Sequence, residues 1–155
     1  YDTMEVKFTF NNRKLITWDG QSRNAFEKDM ERGRGTKIWG SKGTVWVNRN
    51  GYKIFNLAGD KIYDSDNDDK FNDVDRYLTE YHFENFFNSI RNGEKLNSPI
   101  DDAAISQSMV HYANMAYRAD KSFEINPNDG SVKDKKVKKV WSREYQKGWE
   151  ISTNL

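Results

Sequence analysis

The sequence predicts an α+β domain: an open, mainly antiparallel sheet of about six strands with two main helices packed on one face. Three observations predict it. The residues up to Ser65 break into short β-rich runs separated by turn signals, two stretches of 3.6-residue apolar periodicity come next, and a short run, Phe123–Ile125, leads back to the sheet. Strands first and helices after is the order in which helices segregate to one face of an antiparallel sheet. The other face then meets water or a partner.

Each element has a local reason. MEVKFTF alternates, with Val6, Phe8 and Phe10 on one side, and after the turn pair Asn11-Asn12 the run KLITW is its hairpin partner. Asp19-Gly20 ends that strand, and the charged stretch QSRNAFEKDMERGRG reads as an exposed loop. TKIWG, GTVWVNR and YKIFNL are strands separated by Ser41-Lys42-Gly43 and Arg49-Asn50-Gly51, and Ala58-Gly59-Asp60 turns the chain into KIYDS. In the first helix Phe83, Phe86, Phe87 and Ile90 fall at i, i+3, i+4 and i+7, with Arg91 in the last turn and Asn92-Gly93 as the stop. In the second, Ile105, Met109, Tyr112, Ala113 and Ala116 form the apolar face, with Asp101 and Asp102 at the start and Arg118 at the end. After the turn NPNDG comes a basic, partly helical tail anchored by Val137, Val140, Trp141, Tyr145 and Trp149.

At 155 residues the chain is one domain, 1–155, able to bury roughly 70% of the surface its unfolded form exposes. Aromatics make up 14% of the residues against 35% hydrophobic in all, so large rings must build much of the core. A formal net charge of +1 gives no global argument for nucleic acid or an acidic membrane surface, and neither is expected as a partner. The tail's six lysines and one arginine are interrupted by Asp134 and Glu144 and read as a solvated face. Without cysteine there is no disulfide, no thiolate-held zinc and no thiol nucleophile, while compartment stays open. No apolar run approaches the roughly 20 residues of a membrane span.

Motifs for catalysis are missing: no glycine-rich phosphate loop between strand and helix, no G-x-S-x-G and no H-E-x-x-H occurs. His82 and His111 read as structural helix residues. Asp64, Asp66, Asp68 and Asp75 occupy positions 1, 3, 5 and 12 of an EF-hand-like loop, but Asp69 replaces the glycine at position 6, and position 12 lacks the longer glutamate. The plainer reading is an acidic loop whose Asp73 or Asp75 caps the next helix, and calcium is left open. The one stretch suited to recognition is Trp18-Asp19-Gly20-Gln21-Ser22-Arg23-Asn24. A ring there would cover the apolar face of a sugar while short polar side chains bond its hydroxyls; a core Trp ending a strand is the alternative.

The segments ITWDGQSRN, GRGTKIWGSKGTVWVNRNGYKIFNLAGDKI, YHFENFFNSIRNGEKLNSPID, HYANMAYRADKSFEINPNDGSVKD and VWSREYQKGWE together resemble, in order and spacing, the C-terminal part of the glucose–fructose oxidoreductase / inositol dehydrogenase family (Gfo/Idh/MocA). Gln21 stands where members usually have arginine, Ala103-Ala104 replaces a frequent Gly-His pair, and Ala113 replaces a common glycine. The resemblance implies the substrate-binding and oligomerisation domain of an NAD(P)-dependent sugar or polyol oxidoreductase from a bacterium, cytoplasmic or periplasmic. Its N-terminal Rossmann domain, which would hold NAD or NADP and the catalytic residues, is absent from this chain. The resemblance further implies a homo-oligomer through the open sheet face, a sugar or polyol substrate, and no catalysis or cofactor binding by this chain alone. Trp18, Asp19, Gln21, Ser22 and Asn24 are the candidate substrate contacts. A free-standing carbohydrate-binding or dimerisation module, or part of an NAD-dependent glycosidase of the same wider family, are the alternatives.

Overall fold

The computed structural model describes residues 2–23, 34–68 and 74–150, with the backbone alone at 74–76. The chain falls into two units, Tyr1–Asn97 and Ser98–Leu155. The first holds strands β1 (Thr3–Thr9), β2 (Leu15–Gln21), β3 (Thr36–Gly40), β4 (Gly43–Val47), β5 (Tyr52–Phe55) and β6 (Lys61–Asp64), a 3-10 turn at Ser65–Asn67, and helix α1 (Val74–Asn92). The second holds α2 (Ile100–Ala119) and the one-turn helix α3 (Lys135–Lys138). Among the described residues the fold is α+β, with six antiparallel strands and two main helices. The strands are divided between a two-stranded sheet, β1-β2, and a four-stranded one in the order β3-β4-β5-β6.

The β1-β2 hairpin turns as its sequence suggests, with one unforeseen residue. Phe10 N–H donates to the Lys14 carbonyl at 3.0 Å and Arg13 N–H to the Phe10 carbonyl at 3.1 Å, closing a short loop. The left-handed position falls on Arg13 (φ 63°), not on either asparagine. Asn12 instead uses its side-chain oxygen to accept from Lys14 N–H at 3.3 Å.

In the larger sheet the side-chain period of 2 sorts residues cleanly between faces. Register places Ile38, Val45, Ile54 and Tyr63 in one row, and Lys37, Trp46, Lys53 and Asp64 in a row on the opposite face. Asn50-Gly51 is a turn for a different reason from the one its type suggests. The Asn48 side chain accepts from Asn50 N–H at 2.8 Å and Gly51 N–H at 3.2 Å, folding the loop itself. Gly51 is needed because a Cβ there would collide with the Ser65 hydroxyl, which is buried and accepts from Tyr52 N–H at 2.8 Å.

Helix α1 ends at the expected stop, with Gly93 at φ 68° and its N–H donating to the Ser89 carbonyl. Its apolar stripe, however, stays open: Phe83, Phe86, Phe87 and Ile90 are 54, 46, 45 and 67% exposed. The rings touch one another, Phe86 to Phe87 at 5.6 Å and Phe83 to Phe87 at 6.3 Å. A polar residue of α1 is buried instead. Asn85 donates to Glu94 and to the Lys95 carbonyl and accepts from Asn97 N–H at 2.9 Å, so one amide fixes the chain leaving the helix.

In the second unit the buried stripe of α2 is Tyr112, Met115 and Ala119. This corrects the expected face in part: Tyr112 belongs to it, but Ile105 is 67% exposed. The cause is where the chain after α2 lands. The Tyr112 hydroxyl donates to the Gly130 carbonyl at 2.8 Å, and its ring meets Phe123 and Trp141. Tyr112 lies in the C-terminal half of α2, so the returning segment covers that half, and Val132 and Val137 on the same segment are themselves buried. For the run Phe123–Ile125, which the sequence leads back to the sheet, the pairing found among the described residues is Ile125 with Val132, in a single antiparallel bridge across the NPNDG loop. Of the tail anchors, Val137 is fully buried, Val140 and Tyr145 are half-buried, and Trp141 and Trp149 are exposed.

Candidate functional site

The recognition stretch lies on β2, and the pairing of that strand decides what it presents. Val6 sits opposite Trp18 and Met4 opposite Gly20, with Phe8 opposite Ile16. These six positions share one face of the hairpin, which is apolar throughout. Glu5 opposite Asp19, Lys7 opposite Thr17 and Thr3 opposite Gln21 make up the other face, which is polar. Trp18 is 62% exposed and Ile16 46% exposed, so the apolar face is open on the β2 side.

Gly20 shapes the position of the ring. A Cβ at Gly20 would lie 2.6 Å from Trp18 Nε1, so the indole occupies the space where a side chain two residues on would stand. The ring therefore lies along the strand and shows a broad surface. On the polar face the Gln21 amide donates to both carboxylate oxygens of Asp19 at 3.3 Å. Glu5, directly across from Asp19, is paired with Lys7 at 3.0 Å, which offsets the like charge. Ser22 N–H donates to the Asp2 carbonyl at 2.8 Å and carries the pairing one step past the strand.

The structure thus brings Asp19 and Gln21 together, sets Trp18 on the other side of the hairpin and leaves Ser22 one step past the strand. Sequence adjacency conceals this, because neighbouring residues on a strand point oppositely. Asn24 lies outside the described residues, as do Asp69, Phe71, Asp73 and the side chain of Asp75.

The acidic loop has a use that residue types alone do not reveal. Asp64 accepts from the Lys61 ammonium and from Asp66 N–H, and lies 3.7 Å from Lys53. The hydrogen bond from Lys61, then the backbone N–H and the nearby Lys53 charge, hold its carboxyl below the usual range despite burial. Lys53 also pairs with Asp66 at 3.4 Å and stands 5.2 Å over the ring of Trp46. Tyr63 donates to Asp68 at 3.2 Å and stacks on Tyr52 at 5.0 Å; the Tyr52 hydroxyl, burial and Asp68 together push its phenol upward. These carboxylates tie β5, β6 and the 3-10 turn together through cations and a phenol. Among the described residues no three acidic or histidine side chains converge as a metal site. The signal available in the sequence is the alternation that sets Trp46, Lys53 and Asp64 in one cross-strand row.

A cleft lined by Trp46, Asn48, Asn50, Tyr52, Lys53 and Asp66 measures about 10 Å³, room for one water and far too small for a sugar ring. His111 Nε2 lies 2.9 Å from the Trp141 carbonyl, with the two rings edge to face at 5.4 Å, a structural use that matches its reading from sequence. No family model, curated protein or solved structure matched the chain.

Proposed function

We propose that this chain is the substrate-binding and oligomerisation domain of an NAD(P)-dependent sugar or polyol oxidoreductase and catalyses nothing by itself. The observation that carries the reading is the two-faced hairpin. Its apolar face, with Val6, Phe8, Ile16 and Trp18, is built to be covered, and a two-stranded ribbon is marginal in water without such cover. Its polar face sets Asp19 and Gln21 at one end, a carboxylate and an amide suited to sugar hydroxyls. In this reading the apolar face packs on a Rossmann domain encoded upstream, and the polar end borders the substrate. The order of the segments that resemble the Gfo/Idh/MocA family supports it.

The test is kinetic and uses the full-length protein from the parent gene. Cofactor reduction is measured with a panel of sugars and polyols, for wild type and for Asp19→Ala/Gln21→Ala. The expected result is a raised KM, by about tenfold or more, since losing a pair of hydrogen bonds to the substrate costs at least about 1.4 kcal/mol. Unchanged kinetics would remove Asp19 and Gln21 from the substrate site. A parent gene without a strand–GxGxxG–helix unit would overturn the oxidoreductase reading and favour a free-standing carbohydrate-binding module.

A further inference from the structure

A buried donor in the larger sheet lacks an acceptor. Trp46, on β4, is 7% exposed, and its indole Nε1–H has no hydrogen-bond partner among the described residues. No other buried side-chain nitrogen or oxygen of those residues is left unpaired. Tryptophan has that one polar atom, and burying it without an acceptor forfeits the hydrogen bond it makes with water in the unfolded chain. Strand alternation puts the residue there. Trp46 shares a face of the sheet with Lys53 and Asp64, and the Lys53 ammonium stands 5.2 Å over its ring.

Trp46 is also a wall of the cleft that has room for one water, and Lys53 and Asp66, of opposite charge, line it too. Their ion pair is loose: 3.4 Å separates them, against the roughly 2.7–2.9 Å of a direct charge-assisted hydrogen bond. The Asp66 carboxylate therefore keeps lone pairs for a further donor, since its two oxygens accept about four bonds in all. Asn48, on the same wall, does not: its side-chain oxygen already takes Asn50 N–H at 2.8 Å and Gly51 N–H at 3.2 Å. Gly51 has no side chain to screen the carboxylate, whose Oδ1 lies 3.9 Å from where a Cβ would stand.

We propose that one ordered water binds in this cleft, accepting from Trp46 Nε1–H and donating to the Asp66 carboxylate. The chemistry of the walls selects a neutral molecule that both accepts and donates. A cation would meet the indole N–H and the Lys53 ammonium, an anion would meet Asp66, and the charges of Lys53 and Asp66 cancel. The volume admits nothing larger than water. Such a water ties β4 to the 3-10 turn across β5, and gives the buried indole the partner that no protein group supplies. The site is independent of the hairpin and of the oxidoreductase reading.

The experiment transfers magnetisation from water to the indole N–H groups of the isotope-labelled 155-residue chain by rotating-frame NOE. Dipolar transfer from a bound water and chemical exchange with solvent have opposite signs there. The Trp46 resonance is the one lost in Trp46→Phe or, should that variant not fold, the one that survives replacement of each other tryptophan in turn. Trp46 is expected to give a cross-peak of dipolar sign, while Trp39 and Trp149, 73 and 78% exposed, give exchange. Asp66→Ala should abolish the Trp46 cross-peak, and Asp66→Asn, which keeps an oxygen acceptor, should retain it. The Asp66 side chain is 55% exposed, so either variant removes little packing. No dipolar cross-peak at Trp46 in the wild type, or one that persists in Asp66→Ala, would overturn the proposal.

Discussion

The stripe of α1 and the stripe of α2 have the same kind of sequence and opposite fates. Each helix repeats large apolar residues at helical spacing, yet Phe83, Phe86, Phe87 and Ile90 stay about half exposed or more while Met115 and Ala119 are 1 and 2% exposed. The difference lies in the segment that comes after each helix. After α1 the chain is held by a polar residue, Asn85, whose amide bonds Glu94, Lys95 and Asn97 without covering any ring. After α2 the chain folds back, the Tyr112 hydroxyl bonds Gly130, and Val132 and Val137 are buried with the stripe. Periodicity says which face of a helix is apolar; only the chain that returns to it buries that face.

The largest expected effect comes from breaking the closed side of this comparison. Met115→Ala removes a fully buried side chain and should cost about 2–5 kcal/mol by the usual large-to-small penalty. Phe86→Ala in α1 should cost under about 0.5 kcal/mol in the isolated chain, the ordinary range for an exposed position. Urea unfolding of both variants, monitored by far-ultraviolet dichroism, checks the order. If the α1 face is covered by a further domain, as the proposed function requires, Phe86→Ala should in that longer protein become as costly as Met115→Ala. A cost equal in both settings would mean that α1 packs on nothing further.

An intermediate effect concerns charge. The Lys121 ammonium, with Val137 and Lys136 N–H, holds the Asp134 carboxyl below its usual value. A carboxyl lowered on folding adds stability above its unfolded pKa of about 3.9, and that contribution is lost as pH falls through the lower folded value. The melting temperature of the chain should therefore drop between about pH 4 and the acid limit, and Asp134→Asn should flatten that drop. Asparagine keeps the helix cap, so the variant isolates the charge. An identical acid profile for the two proteins would assign the drop to other carboxylates, Asp64 and Asp129 among them, which are also held low.

The same division between local pattern and returning chain separates the legible part of the sequence from the rest. Six strands, two helices and the stop at Gly93 come from period, glycine and terminal charge, which are local properties. The split into two sheets does not, because pairing depends on which edges meet. For the candidate site, the run Trp18–Ser22 is visible by residue type, but its sorting between two faces needs the register with β1. Asp64 and Asp66 read as part of a solvated loop for the same reason. Their partner Lys53 is distant in sequence and adjacent only once β5 and β6 pair.

The smallest effect tests a turn where a local rule is broken. Arg13 closes the β1-β2 hairpin at φ 63°, a conformation that costs a non-glycine residue about 1 kcal/mol, whereas glycine adopts it freely. Its side chain is exposed, so removing it takes away no burial. Arg13→Gly should therefore stabilise the hairpin by up to about 1 kcal/mol, less the added freedom of glycine in the unfolded chain. Amide exchange reads this locally: the Phe10 N–H, bonded to the Lys14 carbonyl at 3.0 Å, should exchange up to about fivefold more slowly. The same substitution should leave exchange at Met115 unchanged, because that residue belongs to the second unit and reports on its own cluster. Faster exchange at Phe10 would mean that the arginine side chain, and not the backbone, holds the turn.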